Sequence, residues 1–129
     1  MTENKPLKIF LIDDDHFLLD MYLLKFKKAG IETDTASNAQ LALDKLRAGN
    51  LYDIILVDII MPGIDGLDFL KTVRAEKLSP SAVFIMLTNE ADSVEKAKTF
   101  GIDGYIVKAT MTPSEVVDNV LSIYKNKHK

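Results

Sequence analysis

The 129-residue sequence predicts a doubly wound α/β fold, five βα units forming a three-layer sandwich around a five-stranded parallel sheet of order 2-1-3-4-5. Three observations carry that reading. Strand-like runs at residues 7–12, 32–36, 54–57, 82–87 and 105–107 alternate with segments of helical periodicity. No Gly/Ser-rich stretch, internal repeat or change of composition interrupts the alternation. Four of the five runs end on a reactive polar group, Asp13-Asp14-Asp15, Asp58, Thr88 and Lys108, and an open parallel sheet places its functional groups at such strand ends.

The first run, 7–12, is almost continuously apolar, as a strand buried on both faces must be. Phe17, Leu18, Met21, Tyr22, Leu24 and Phe26 then recur at helical spacing up to Gly30, a helix stop. Residues 32–36 are threonine-containing and more polar, which suits an edge strand. Ser37-Asn38-Ala39-Gln40 reads as a capping box opening a helix through Ala48, closed by Gly49-Asn50. Ile54-Ile55-Leu56-Val57 is the most apolar run and takes the centre of the sheet. Met61-Pro62-Gly63-Ile64-Asp65-Gly66 must be a loop, followed by a helix over 67–76 with Leu67, Leu70 and Val73 inward. Residues 83–87 form the fourth strand. A short charged helix spans 92–100, with Val94, Ala97 and Phe100 on one side. Residues 104–107 are the fifth strand. Thr112-Pro113-Ser114-Glu115 is a capping box with proline in the first turn, and Val116, Val117, Val120, Leu121 and Tyr124 give the last helix its buried face. The five methionines read as core. Lys125–Lys129 reads as a solvated, frayed basic tail that includes His128, and His16 as a surface residue of a first helical turn.

Composition narrows the function. The apolar share of 47% is ample for one core, and a net charge of −3 gives no electrostatic reason to expect nucleic acid or an anionic membrane as partner. The absence of cysteine excludes disulfides, thiolate zinc sites and cysteine nucleophiles. Met1-Thr2-Glu3-Asn4-Lys5 is too polar for a signal peptide, and no apolar stretch approaches the roughly 20 residues of a membrane span. The expectation is a single cytoplasmic domain over 1–129, with its core at about 7–124 and a tail at 125–129.

In the order 2-1-3-4-5 the first and third strands are neighbours at the topological switch point, so Asp13, Asp14 and Asp58 become adjacent in space. Each residue has an ordinary reading when taken alone: a solvated turn, a β-branched strand residue, a strand-end lysine. Together they form a set of hard oxygen ligands suited to Mg²⁺, a lone carboxylate, a hydroxyl and an ammonium, which is what a phosphoryl group on Asp58 requires. Asp15 reads as an N-terminal helix acid.

Leu11-Ile12-Asp13-Asp14-Asp15, Val57-Asp58-Ile59-Ile60-Met61-Pro62-Gly63-Ile64-Asp65-Gly66, Leu87-Thr88 and Tyr105-Ile106-Val107-Lys108 together resemble the receiver domain of two-component response regulators, of the stand-alone chemotaxis type with a flavodoxin-like fold. The resemblance covers about residues 8–124. It implies that Asp58 is the phosphoacceptor and that Asp13, Asp14, Asp58 and the backbone carbonyl of Ile60 hold Mg²⁺, Asp13 through water. Thr88 and Lys108 would contact the phosphoryl oxygens, and Thr88 with Tyr105 would form the switch. The implied partners are a sensor histidine kinase or histidine phosphotransfer protein and a downstream protein. The latter docks on the face of helix 4, strand 5 and helix 5, including Lys96, Tyr105, Val107 and Pro113. A second copy of the chain could dock there after phosphorylation. The sequence departs from the family at Ala109, where a proline usually follows the lysine, and at Asn89, where a small residue usually follows the threonine. Ile60 and Glu90 stand at positions that tune hydrolysis in the family.

Two other readings compete. A haloacid-dehalogenase-like phosphatase also uses a strand-end aspartate with Mg²⁺, threonine and lysine, but needs an acid two residues after its nucleophile, where Ile60 stands. A phosphorylation-independent interaction module would leave the filled set of site positions without a use. No output domain follows the last helix of this sequence, and Met1 with the short tail suggests a stand-alone regulator.

Overall fold

The computed structural model describes residues 6–89, 95, 98, 99 and 101–128. Five strands, β1 (Lys8–Ile12), β2 (Glu32–Ala36), β3 (Ile54–Asp58), β4 (Val83–Thr88) and β5 (Gly104–Val107), form one sheet in the order β2-β1-β3-β4-β5. Every pairing is parallel. β3 and β4 are buried along their whole length, whereas β2 is half-exposed, as its threonines and acids require at an edge. Because successive side chains alternate, the sheet feeds two cores. Phe10, Ile12, Ile55, Val57, Phe84 and Met86 pack under α2 (Ala39–Arg47) and α3 (Gly66–Ala75). Ile9, Leu11, Ile54, Leu56, Ile85 and Leu87 pack under α1 (His16–Lys28) and the C-terminal helix (Pro113–Lys127).

The structure corrects the sequence reading at several places. α1 turns Leu19, Tyr22 and Phe26 to the core and leaves Phe17 and Leu24 exposed, so these last two are not part of its packing face. α2 is capped by Asn38, whose side chain accepts from the Leu41 N–H, rather than by a box built on Ser37. In α3 it is Phe69, with Leu70 and Val73, that is buried, and Leu67 is only partly so. The C-terminal helix has the expected capping box at Thr112 and Glu115, and it runs on through Lys127 instead of fraying at 125. Lys127 Nζ lies 3.0 Å from Asp103 Oδ1, and the His128 ring stacks on Tyr124 with centroids 4.2 Å apart. Met61 and Met86 are buried as expected, while Met21 and Met111 are only partly so. The expected helix at 92–100, with Val94, Lys96, Ala97 and Phe100, and also Glu90, lies mostly outside the described residues. Among the described residues every peptide bond is trans, Lys108–Ala109 included, and Lys108–Thr110 form one 3₁₀ turn. No helix of the described residues is long and apolar enough to cross a membrane.

Candidate functional site

The register sets the site. Ile12 pairs with Val57, Asp58 with Leu87, and Thr88 with Val107, so the ends of β1, β3, β4 and β5 open on one side of the sheet. Asp13 follows β1 directly and is almost fully buried, held by its own N–H on the Ala36 carbonyl at 3.2 Å. Its Oδ1 accepts from the Asp15 N–H at 3.0 Å. Asp15 caps α1 by accepting from the Phe17 and Leu18 N–H groups, at 3.0 and 3.1 Å, which fixes the turn that presents Asp14 to solvent. His16 begins α1 and is exposed, as expected of a first-turn residue.

Asp58 is the last residue of β3 and 6% exposed. Its Oδ1 accepts from the Ile60 N–H at 3.2 Å, and its Oδ2 accepts from Lys108 Nζ at 2.8 Å. Lys108 lies one residue past β5, and its ammonium also stands 2.9 Å from Asp13 Oδ2. That second contact has ion-pair distance without hydrogen-bond alignment, so the buried Asp13 Oδ2 keeps an unfilled acceptor site. Oxygens of Asp13, Asp14 and Asp58 all lie within 4.8 Å of one another. Three carboxylates against one ammonium leave two negative charges in a half-closed pocket, an arrangement that a hard divalent cation relieves. The all-oxygen donor set and the unfilled Asp13 oxygen both fit Mg²⁺.

The electrostatics follow from burial. Loss of solvent pushes the Asp58 carboxyl up to about 6 from its ordinary 3.8, with Asp13 adding to the rise and Lys108 and the Ile60 N–H opposing it. For Lys108 burial works against the charge, yet the hydrogen bond to Asp58 and the attraction of the Asp13 and Asp58 carboxylates outweigh it and hold the ammonium above its ordinary value.

Thr88 is buried at the end of β4, and Ile60 is exposed in the loop after Asp58. Tyr105 is on β5 beside Met86, 44% exposed, two positions before the residue paired with Thr88. The sequence reading therefore collected Asp13, Asp14, Asp58 and Lys108 into one pocket, with Thr88 at the neighbouring strand end and Tyr105 on the adjacent strand. It missed two things. One is the pairing of Lys108 with Asp13 as well as Asp58. The other is Gly66, whose N–H donates to the Ile59 carbonyl at 2.7 Å while α3 starts hard against the Asp58–Ile59 backbone. A Cβ at Gly66 would lie 2.7 Å from Ile59 Cα and overlap the Asp58 carbonyl oxygen. The available signal was a glycine at the first position of a helix, where its low propensity needs a packing reason.

A doubly wound parallel sheet whose switch point carries three carboxylates and a lysine defines a class of α/β protein with its functional groups at the strand ends. The response regulator receiver domain model matches residues 9–120, and the chain belongs to that family. The transcriptional regulatory protein ResD of Bacillus subtilis is 32% identical over 97% of this chain, which spans 51% of ResD. The chemotaxis protein CheY-3 of Vibrio cholerae is 31% identical, covering 91% of this chain and 93% of its own. Among solved structures, the response regulator TrrA of Thermotoga maritima, in complex with Mg²⁺-BeF, superposes with a TM-score of 0.78. It is 31% identical over 91% of this chain and 98% of that one. Receiver domains are signalling modules of two-component systems, which bind Mg²⁺ at their acidic cluster and work with histidine kinases and downstream effectors. That membership sets the phosphatase reading aside.

Proposed function

We propose that this receiver takes a phosphoryl group from a sensor histidine kinase or histidine phosphotransfer protein onto Asp58 and signals through a conformational switch to a protein partner. The observation that carries the reading is the convergence of Asp13, Asp14, Asp58 and Lys108 in one pocket at the β1–β3 boundary. Asp13, Asp14, Asp58 and the Ile60 carbonyl would hold Mg²⁺, which would supply positive charge against the incoming phosphoryl oxygens. The Asp58 carboxylate forms the new O–P bond as the P–N bond to the donor imidazole breaks, and the imidazole leaves with that electron pair. Lys108, already 2.8 Å from Asp58, and the Thr88 hydroxyl take the phosphoryl oxygens. Phe17, exposed in the first turn of α1, and Ile60, exposed in the loop after Asp58, give the donor protein an apolar rim.

Phosphorylation adds up to two negative charges and strong acceptor oxygens. Drawing Thr88 toward them opens room for the Tyr105 ring, and two ring positions make a bistable element. The readout is the face around Tyr105, Val107 and Pro113, offered to a protein partner or a second phosphorylated copy, with no part for nucleic acid or membrane in this domain. We place the domain in the cytoplasm, in keeping with its family. The test uses beryllofluoride, a phosphoryl mimic, followed by NMR. Binding should need Mg²⁺, vanish in Asp58→Asn and weaken at least tenfold in Asp14→Ala. Equal binding with and without Mg²⁺, or in Asp58→Asn, would refute the site assignment.

A further inference from the structure

The Tyr105 ring stays 44% exposed although an aromatic side chain gains by burial. A specific contact accompanies that position. The Lys98 ammonium lies over the ring, 5.9 Å from its centroid, and Lys98 is itself steered by Glu95 at 3.6 Å. We propose that Lys98 is a positioning residue for the switch: its cation–π contact holds Tyr105 outward and so sets how much phosphoryl chemistry is needed to turn the ring in. This rests on the switch reading of Tyr105 given above.

The sheet provides the two ring positions. Tyr105 pairs with Met86, and Val107 with Thr88, in parallel register. Residues two apart on a strand share a face, so Tyr105 and Thr88 are diagonal neighbours on the face that also carries Phe84 and Met86. Rotated outward, the ring meets Lys98; rotated along the sheet, it approaches Thr88 and loses the ammonium, which returns to water. A contact made in only one of two states shifts their populations by its own worth. For an exposed cation–π contact the shift is about two- to fivefold. By linkage, a ligand that selects the inward state is weakened by the same factor. A methionine at 98 keeps the length of the stem without its charge, whereas an arginine keeps a cation that stacks on aromatic rings.

The test follows the Tyr105 ring by NMR with labelled tyrosine, assigned through Tyr105→Phe, in the 129-residue protein with Mg²⁺ as beryllofluoride is added. Lys98→Met should move the ligand-free ring signal toward its beryllofluoride-saturated position and lower the half-saturating beryllofluoride concentration about two- to fivefold. Lys98→Arg should track the parent in both. The proposal is overturned if Lys98→Met matches the parent, or if Lys98→Arg shifts as far as Lys98→Met, which would mean that stem packing and not charge positions the ring. A parent ring that does not respond to saturating beryllofluoride overturns the switch reading and this proposal with it. A responsive parent whose ligand-free ring signal and half-saturating concentration are unchanged in Lys98→Met overturns this proposal alone.

Discussion

At Asp58 the fold removes a carboxylate from solvent, places it beside Asp13 and repays only part of the cost through Lys108 and one backbone N–H. An acid whose pKa is higher folded than unfolded binds its proton more tightly in the folded state. Stability then falls as pH rises through the interval between the two values, here from 3.8 to about 6. Lys108, raised above its ordinary value, stays charged throughout that interval and adds no slope. With metal removed by EDTA, Asp58→Asn should therefore gain stability over the parent as pH rises from 4 to 7, by about 1–3 kcal/mol, read from urea unfolding. A difference that stays flat with pH would show that Asp58 titrates as an ordinary surface acid. The identity of this residue was legible in the sequence because it ends the most apolar run. Its raised pKa was not, because that depends on the last few per cent of solvent access and on which carboxylate Lys108 reaches. Asp13 and Asp58 look alike to a lysine in a sequence; only the placed strands show that one ammonium spans both.

Among the elements, α3 depends on a residue that has no side chain. Gly66 lets the helix begin against the Asp58–Ile59 backbone, and an added methyl has no space there. Gly66→Ala should cost about 1–3 kcal/mol in urea unfolding, the range for overpacking a closed site, and should weaken beryllofluoride binding at least tenfold by displacing Asp58. Stability and binding equal to the parent's would mean that the α3 start is not what holds the loop. The helices also show where periodicity stops being informative. α1 carries apolar residues around most of its circumference, so helical spacing admits Phe17 and Leu24 as readily as Leu19. The sheet decides, selecting Leu19, Tyr22 and Phe26 and exposing the other two. At the other end of the chain, Lys127 reads as part of a solvated tail until β5 brings Asp103 to meet it. Pairs distant in sequence become visible only once the strands are placed.

Across the whole molecule, strand polarity marked the most apolar run as central and the threonine-containing run as an edge, which favours the observed order. The places of the remaining strands came with the doubly wound pattern and the family resemblance. That order makes Asp13 and Asp58 neighbours and puts Tyr105 within reach of Thr88 without contact between Tyr105 and the pocket's carboxylates being needed. In the proposed function, charge enters at the β1–β3 boundary and the readout lies two strands away from β3, at β5. All of this depends on one covalent event at one side chain. The most direct test is intact-mass measurement of the protein after incubation with acetyl phosphate and Mg²⁺, beside Asp58→Asn and a sample in EDTA. The account predicts a gain of one phosphate mass in the parent with Mg²⁺, and none in Asp58→Asn or in EDTA. Equal labelling of Asp58→Asn, or labelling that ignores Mg²⁺, would contradict it.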